Sequence, residues 1–431
     1  MSESGSKRTG QLGLIAATAL VMGNMIGSGV YLLPASLAPY GWNAIGGWIV
    51  TIGGSLVLAW VVACLTRQVP EAGDLVGCIT KAYGKLTAFL VGWIYLVTVW
   101  VGVVAVAVAA ISYLSNLFPG IETVPFGPAI GALVIVWAIT LINLRGVRSA
   151  GDFQVLTLAI KLIPLVMVIV IAAALLAGGN AEVAPLQSHE ISFSAISGAA
   201  TLTLFALLGF EVAGVAAERV RNPEVNVPRA TMWGTALTGL IYLFVCSAVA
   251  LMLPQDVATT SAAPLATFVE RYWSAGPAAL VTVFAIVSCF GAINGWILIQ
   301  GEMPRAMAEK GELPGWFGVT DAQGTPRRAL VTGSVIASVF LLLNGSRSMH
   351  GLFDFFLLLT TSGALWFYLV MAMAAWRLKV ARPFAVVGVA YSLWTLWGAG
   401  LEADLWSFAL MLAGLPLYWW TRRDQAARPA A

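Results

Sequence analysis

The stretch Gly23-Asn24-Met25-Ile26-Gly27-Ser28-Gly29-Val30, followed by Pro34 and Pro39, sits inside an apolar run from Leu12 to Pro39. Glycine lowers helix propensity by about 1 kcal/mol per residue, so two glycines around a serine favour an unwound segment in the middle of a helix. At mid-membrane depth such a segment frees backbone N–H and C=O groups, which are tolerated only where they line a cavity. The same glycines also fit a seam where helices pack closely. Taken alone, the stretch leaves both readings open.

A second interruption weighs for the first reading. Leu208-Gly209-Phe210-Glu211-Val212-Ala213-Gly214 places a carboxylate between two glycines near the middle of another apolar run, where burying a charge is costly. Counted along the chain these runs are the first and the sixth, corresponding members of two five-helix halves. Interrupted segments at matching positions are the sequence pointer to an inverted-repeat transporter. A half-helix N-terminus offers free N–H donors and partial positive charge to a carboxylate. Freed carbonyls at the opposing end suit an ammonium. A zwitterionic amino acid matches this pair.

Composition agrees. Of 431 residues, 59% are hydrophobic and 10% charged, against about 25% charged in soluble globular chains. Apolar runs long enough to cross a hydrocarbon core of about 30 Å recur to Trp420. They fall near 12–39, 44–65, 86–114, 128–144, 153–178, 193–217, 230–253, 276–302, 328–344, 349–376, 382–400 and 403–420. The expectation is an all-α membrane protein of twelve transmembrane helices, with discontinuous helices 1 and 6. A first five-helix repeat occupies 1–178, an inverted second repeat 193–376, and two further helices 382–420. With the N-terminus inside, 20 of the 23 Lys and Arg residues fall on the cytoplasmic side, the retention expected of short loops. Arg271 and Arg347 fall outside and Lys161 within the fifth span, so both termini are expected in the cytoplasm. No removable signal peptide is visible before the first span.

The four cysteines are scattered singly and the two histidines, His189 and His350, lack a ligand cluster, so no metal and no cofactor is expected. HExxH and Walker motifs are absent, as is a nucleophile–base pairing, which argues against an enzyme. A channel leaves the paired interruptions without explanation. The partners expected are a small amino acid or amine and the lipid bilayer, with no nucleic acid.

Four segments, MGNMIGSGVYLLPA (22–35), LGFEVAG (208–214), RNPEVNVPRA (221–230) and GWILIQGEMPRAMAEKGELP (295–314), resemble the bacterial amino acid/polyamine antiporters of the amino acid–polyamine–organocation superfamily. Within it the likeness is greatest to the antiporters that exchange arginine for agmatine. The resemblance runs nearly end to end and implies a bacterial inner-membrane exchanger working by alternating access, and a homodimer through the last two helices. It also implies a substrate site. Ser28 and the N–H groups of Ile26, Gly27 and Gly29 would hold the α-carboxylate. Carbonyls around Met25 and on the sixth helix near Leu208 would take the α-amine. Phe205 would be the aromatic lid, Trp296 would pack on the substrate side chain, and Thr360 would stand near its end. Tyr95, Glu211 and Tyr368 would close the path to the cytoplasm.

Two departures bear on the substrate. Val103 stands where the arginine/agmatine antiporters have an asparagine facing the guanidinium, so a less polar side chain is one expectation. Lys161, absent from those antiporters but present in other superfamily members, lies about 12 Å into the fifth span at 1.5 Å per residue. It either snorkels to the surface or bridges the fifth helix to the broken first helix, with loss of its proton loosening that contact. The corresponding alternative function is proton-coupled transport of neutral amino acids through Lys161. Glu211 is either a structural carboxylate or a proton-sensing gate. Asp354, near the outer end of the tenth span, reads as an interfacial charge rather than a coupling site. Glu71, Asp74, Glu218 and Glu302 read as surface ion-pair partners.

Overall fold

The computed structural model describes residues 13–72, 74–145, 150–186, 188–210, 220–322 and 324–427. Glu211 and Glu218 lie outside them. No strand occurs among the described residues, as expected where lipid offers the backbone no hydrogen-bond partners.

The helices that matter below are α1 (Leu14–Met25), α2 (Ser28–Leu37), α3 (Asn43–Gln68), α4 (Leu75–Tyr83), α5 (Lys85–Leu117), α6 (Gly127–Leu144), α7 (Ala150–Ala177) and α8 (Phe193–Leu207). They continue with α9 (Pro223–Met252), α10 (Ala275–Glu309), α11 (Arg327–Leu343), α12 (Met349–Arg377), α13 (Arg382–Ala399), α14 (Leu401–Leu412) and α15 (Leu415–Ala427). Seven of them, α3, α5, α6, α7, α9, α10 and α12, are long and apolar enough to cross a bilayer. The count becomes nine when two bent pairs are each taken as one crossing: α1 with α2, bent by 49°, and α13 with the helices after Gly400, bent by 114°.

This differs from the expected twelve in three places. The sixth span appears as α8, only 15 residues long, because it stops at a break beyond which the chain leaves the described residues. The ninth appears as α11, 17 residues and so about 25 Å at 1.5 Å per residue. The two final spans are joined through Gly400, whose φ of 84° turns the chain sharply, and so count as one bent pair.

α5 is the centre of the bundle. Of its apolar window 94% is buried, against 28% for that of α7, so α5 is walled in by protein while α7 faces the surroundings. α5 packs against α12 and α10, α3 against α8, and α1 against α9. Exposed apolar side chains lie on the outward helices, among them Ile130 and Val134 on α6, Val166 and Val170 on α7, and Leu393 and Trp397 on α13. In water such a surface would promote aggregation; against lipid it is the expected one.

Ion pairs gather at the helix ends. Lys81 pairs with Glu71, Lys310 with Asp74, and Arg305 with Glu302 and Glu309, as expected for exposed charges. All four cysteines are buried free thiols.

Candidate functional site

α1 ends at Met25 and α2 begins at Ser28, so Ile26 and Gly27 form the break. Ile26 leaves the helical region with ψ 96°, and Gly27, at φ −143° and ψ −144°, is likewise non-helical. A helix end leaves its last carbonyls without partners, and a helix start leaves its first N–H groups without them. Most of the α1 carbonyls find substitutes: Met22 accepts from Ile26 N at 2.8 Å, Gly23 from Lys161 Nζ at 2.9 Å and Met25 from the Tyr242 hydroxyl at 2.9 Å. The Asn24 carbonyl accepts nothing among the described residues. At the opposing end, α2 starts without a side-chain cap. Ser28 Oγ is fully buried there and has no hydrogen-bond partner among the described residues. A buried hydroxyl without a partner costs about 1–3 kcal/mol, and a bound carboxylate would relieve that cost.

The second break meets the first. α8 ends at Leu207, Leu208 turns extended with ψ 146°, and Gly209 takes φ 97°, a conformation that L side chains rarely adopt. A Cβ on Gly209 would lie 2.7 Å from Asn24 Nδ2. A Cβ on Gly29 would lie 2.7 Å from Ala206 Cβ and 2.9 Å from Ala206 Cα, and one on Gly27 2.9 Å from Ala292 Cβ of α10. Both sequence readings of these glycines therefore hold at once: they allow close packing, and they do so where the helices are interrupted.

Aromatic side chains enclose the region. Phe205, buried on α8, meets Phe353 of α12 edge-on with centroids 6.1 Å apart. Trp296 of α10 is half-buried against α5, where a Cβ on Gly102 would approach its ring to 2.8 Å. Phe210 stacks on Tyr368 at 5.3 Å, and Tyr95 packs on Phe367 at 4.8 Å and Tyr368 at 6.4 Å. Tyr95 and Tyr368 are thus brought together, with Phe210 at the second break; Glu211 lies outside the described residues. Val103 is wholly buried. Thr360 is buried too, but its hydroxyl donates to Phe356 O of its own helix at 2.6 Å, so toward a ligand it offers only a lone pair.

Lys161 does not snorkel. It is 1% exposed, its ammonium reaches Gly23 O, and its chain runs past Gly291 of α10, where a Cβ would lie 3.6 Å from Lys161 Cε. Its backbone carbonyl accepts from the Tyr31 hydroxyl of α2 at 3.1 Å, and the Tyr31 carbonyl accepts from Tyr113 of α5 at 2.8 Å. One residue of α7 therefore holds α1 through its side chain and α2 through its backbone.

The sequence reading missed two groups. Tyr242, in the apolar run of α9, has the look of a packing residue, yet it caps the Met25 carbonyl. Asp354 is half-buried on α12. It accepts a hydrogen bond from Ser36 Oγ and so ties the C-terminal end of α2 to α12. A serine nine residues beyond Gly27 and an aspartate 318 positions later carry no joint signal in sequence. Tyr242→Phe leaves the Met25 carbonyl without that donor, at a cost of about 1–3 kcal/mol for a buried unpaired group. The expected result is a measurable drop in thermal stability of the purified protein, larger than for Tyr391→Phe, whose buried hydroxyl already lacks a hydrogen-bond partner among the described residues.

Comparison with known proteins bears on what such a site does. A family model described as "Amino acid permease" matches residues 12–418. The chain is similar to the cadaverine/lysine antiporter of Escherichia coli K12, 34% identical over 342 residues, which covers 77% of this chain and 74% of the relative. It is also similar to the putrescine transporter PotE of Haemophilus influenzae, 28% identical over 425 residues, covering 96% of this chain and 97% of the relative. The PotE protein of Escherichia coli K12 is 28% identical over 423 residues, covering 95% and 96%. These relatives are transporters, not enzymes.

Proposed function

This chain belongs to the amino acid permease family, and we propose that it is an amino acid/polyamine antiporter whose substrate binds between the two helix breaks. The observation that carries the proposal is the buried hydroxyl of Ser28 at the start of α2, without a partner among the described residues, beside a break whose other side ends in carbonyls. The substrate carboxylate would take Ser28 Oγ and the first N–H groups of α2, around Gly29. Its amine would take the Asn24 carbonyl and the second lone pair of Met25 O. Ile26, Gly27 and Leu208 line the two breaks. Phe205 and Trp296 would cover the side chain, and Tyr95, Tyr368 and Glu211 would close the opposite path, with Glu211 as the group that senses protons.

Exchange of an amino acid for its decarboxylated amine suits this division of labour. Both molecules share the distal cation, and only the amino acid engages the N-terminus of α2. The relatives named for lysine with cadaverine, and for putrescine, support this class; the arginine/agmatine pair is its counterpart with a guanidinium. A second reading, transport of neutral amino acids with Lys161 as the titrating group, is favoured by the wholly apolar burial of Val103 and by the Thr360 hydroxyl turned onto its own helix. The wider arrangement we propose is twelve crossings in a 5+5 inverted repeat, with both termini in the cytoplasm of a bacterial inner membrane and two copies paired through the final helices.

The test is counterflow in liposomes loaded with labelled arginine, lysine, ornithine, leucine or alanine. An antiporter of the proposed class releases label only when a matching amino acid or amine is supplied outside. Release of leucine or alanine driven by a proton gradient, with no response to external amines, would select the second reading instead.

A further inference from the structure

Away from the two breaks lies a cavity of about 140 Å³, bounded by Thr80 of α4, Lys85 and Phe89 in the first turns of α5, the Lys310–Glu312 turn after α10, and Tyr418, Thr421 and Arg422 of α15. Its charge is lopsided, with three cationic side chains and the single carboxylate of Glu312 in the lining. Lys310 shares its charge with Asp74 outside the lining. Arg422 is held by a hydrogen bond from its Nη2 to the Tyr418 hydroxyl at 2.9 Å, which leaves its other donors available. Lys85 forms no ion pair among the described residues. Burial, reinforced by Asp74, raises the Glu312 carboxyl above the usual carboxylate range, which lessens its opposition to an anion.

The chemistry on offer is therefore two to three cationic heads set in a cavity at helix ends, since the hydroxyls of Thr80 and Thr421 donate to Val76 O and Leu417 O of their own helices. Such a donor set matches the oxygens of a phosphate group rather than a single carboxylate. One wall is aromatic, with Phe89 and Tyr418 rings 5.2 Å apart, and the adjoining Trp419 and Trp420 of α15 are 60% and 58% exposed. Exposed tryptophans beside a basic cavity place it at the level of lipid headgroups.

We propose that this cavity binds a phosphate group, presented by a phospholipid headgroup whose acyl chains lie along α15, and that it ties α15 to α4, α5 and the end of α10. The proposal rests on the chain being a membrane protein but not on what it transports, so its test reads binding and stability alone. Detergent-purified protein would be titrated in separate arms with short-chain phosphatidylglycerol, phosphatidylcholine of equal chain length and inorganic phosphate, with thermal unfolding as the readout.

The expected result is stabilisation by phosphatidylglycerol at concentrations at least about tenfold below those needed for the variant pair Lys85→Gln with Arg422→Gln, the loss expected from removing charge-assisted hydrogen bonds. Lys85→Arg with Arg422→Lys retains the response, which separates lost charge from a misfolded variant. Stabilisation by inorganic phosphate that is also sensitive to the variants would keep the phosphate site and assign its source to the solvent. An equal response of wild type and Gln variants to phosphatidylglycerol, or a response to phosphatidylcholine as strong as that to phosphatidylglycerol in both, would overturn the site.

Discussion

Replacing Lys161 with methionine is expected to slow exchange by about tenfold to a hundredfold at equal amounts of folded protein. Methionine approximates the lysine stem in length and volume, so packing against Gly291 is largely kept and the ammonium is what is lost. That ammonium is the donor that satisfies the Gly23 carbonyl at the cut end of α1. Hydrogen bonds to charged groups contribute about 1.5–3 kcal/mol, and each 1.4 kcal/mol is a tenfold change in an equilibrium. The equilibrium affected is whether α1 rests against α7 or moves away from it, and the proposed alternating-access cycle depends on that balance. The measurement is initial counterflow rate per folded protein in liposomes, with thermal unfolding run beside it to confirm folding. An unchanged rate in Lys161→Met would remove this residue from the cycle and leave it a structural cation.

Gly29→Ala is expected to damage transport nearly as much, by a different route. The added methyl would sit 2.7 Å from Ala206 Cβ and 2.9 Å from Ala206 Cα, and the second of these is backbone that cannot rotate away. Overpacking of this kind costs about 1–3 kcal/mol, and here relief requires α2 and α8 to part. Parting them separates the two breaks, so the loss should fall on substrate affinity as well as on stability. Adding Ala206→Gly removes the closer contact but not the 2.9 Å one, so the double variant should recover part of the activity. Full activity in Gly29→Ala would mean that the breaks open widely in the working protein and do not form the site together.

How far these features are legible in the sequence differs from one to the next. Interruptions at Gly27-Ser28-Gly29 and at Gly209 are visible because glycine in an apolar run is a local fact about backbone preference, and both positions are breaks in the structure. Lys161 is visible for the same kind of reason, since a lysine deep in an apolar run must be explained wherever its neighbours lie. Tyr242 and Asp354 are not legible, because their roles depend on rotation and register between distant helices. A tyrosine in an apolar run is compatible with packing, with lipid contact or with a cap. The number of crossings is only partly legible. Apolar runs mark the membrane, but where a helix is cut short, as at Leu207, or turned sharply, as at Gly400, run length no longer equals helix length. The substrate side chain is the least legible part, because Val103, Trp296 and Thr360 lie on three helices and a rotated hydroxyl such as that of Thr360 changes the polarity offered.

The central claim, that Ser28 at the start of α2 reads the carboxylate of an amino-acid substrate, is tested most directly by equilibrium binding to purified Ser28→Ala. The comparison pairs an amino acid that wild type exchanges with the amine that lacks its carboxylate. Loss of a hydrogen bond to a charged group predicts about tenfold to a hundredfold weaker binding of the amino acid, with the amine changed by no more than about twofold. Equal weakening of both ligands, or no change in either, would contradict the account.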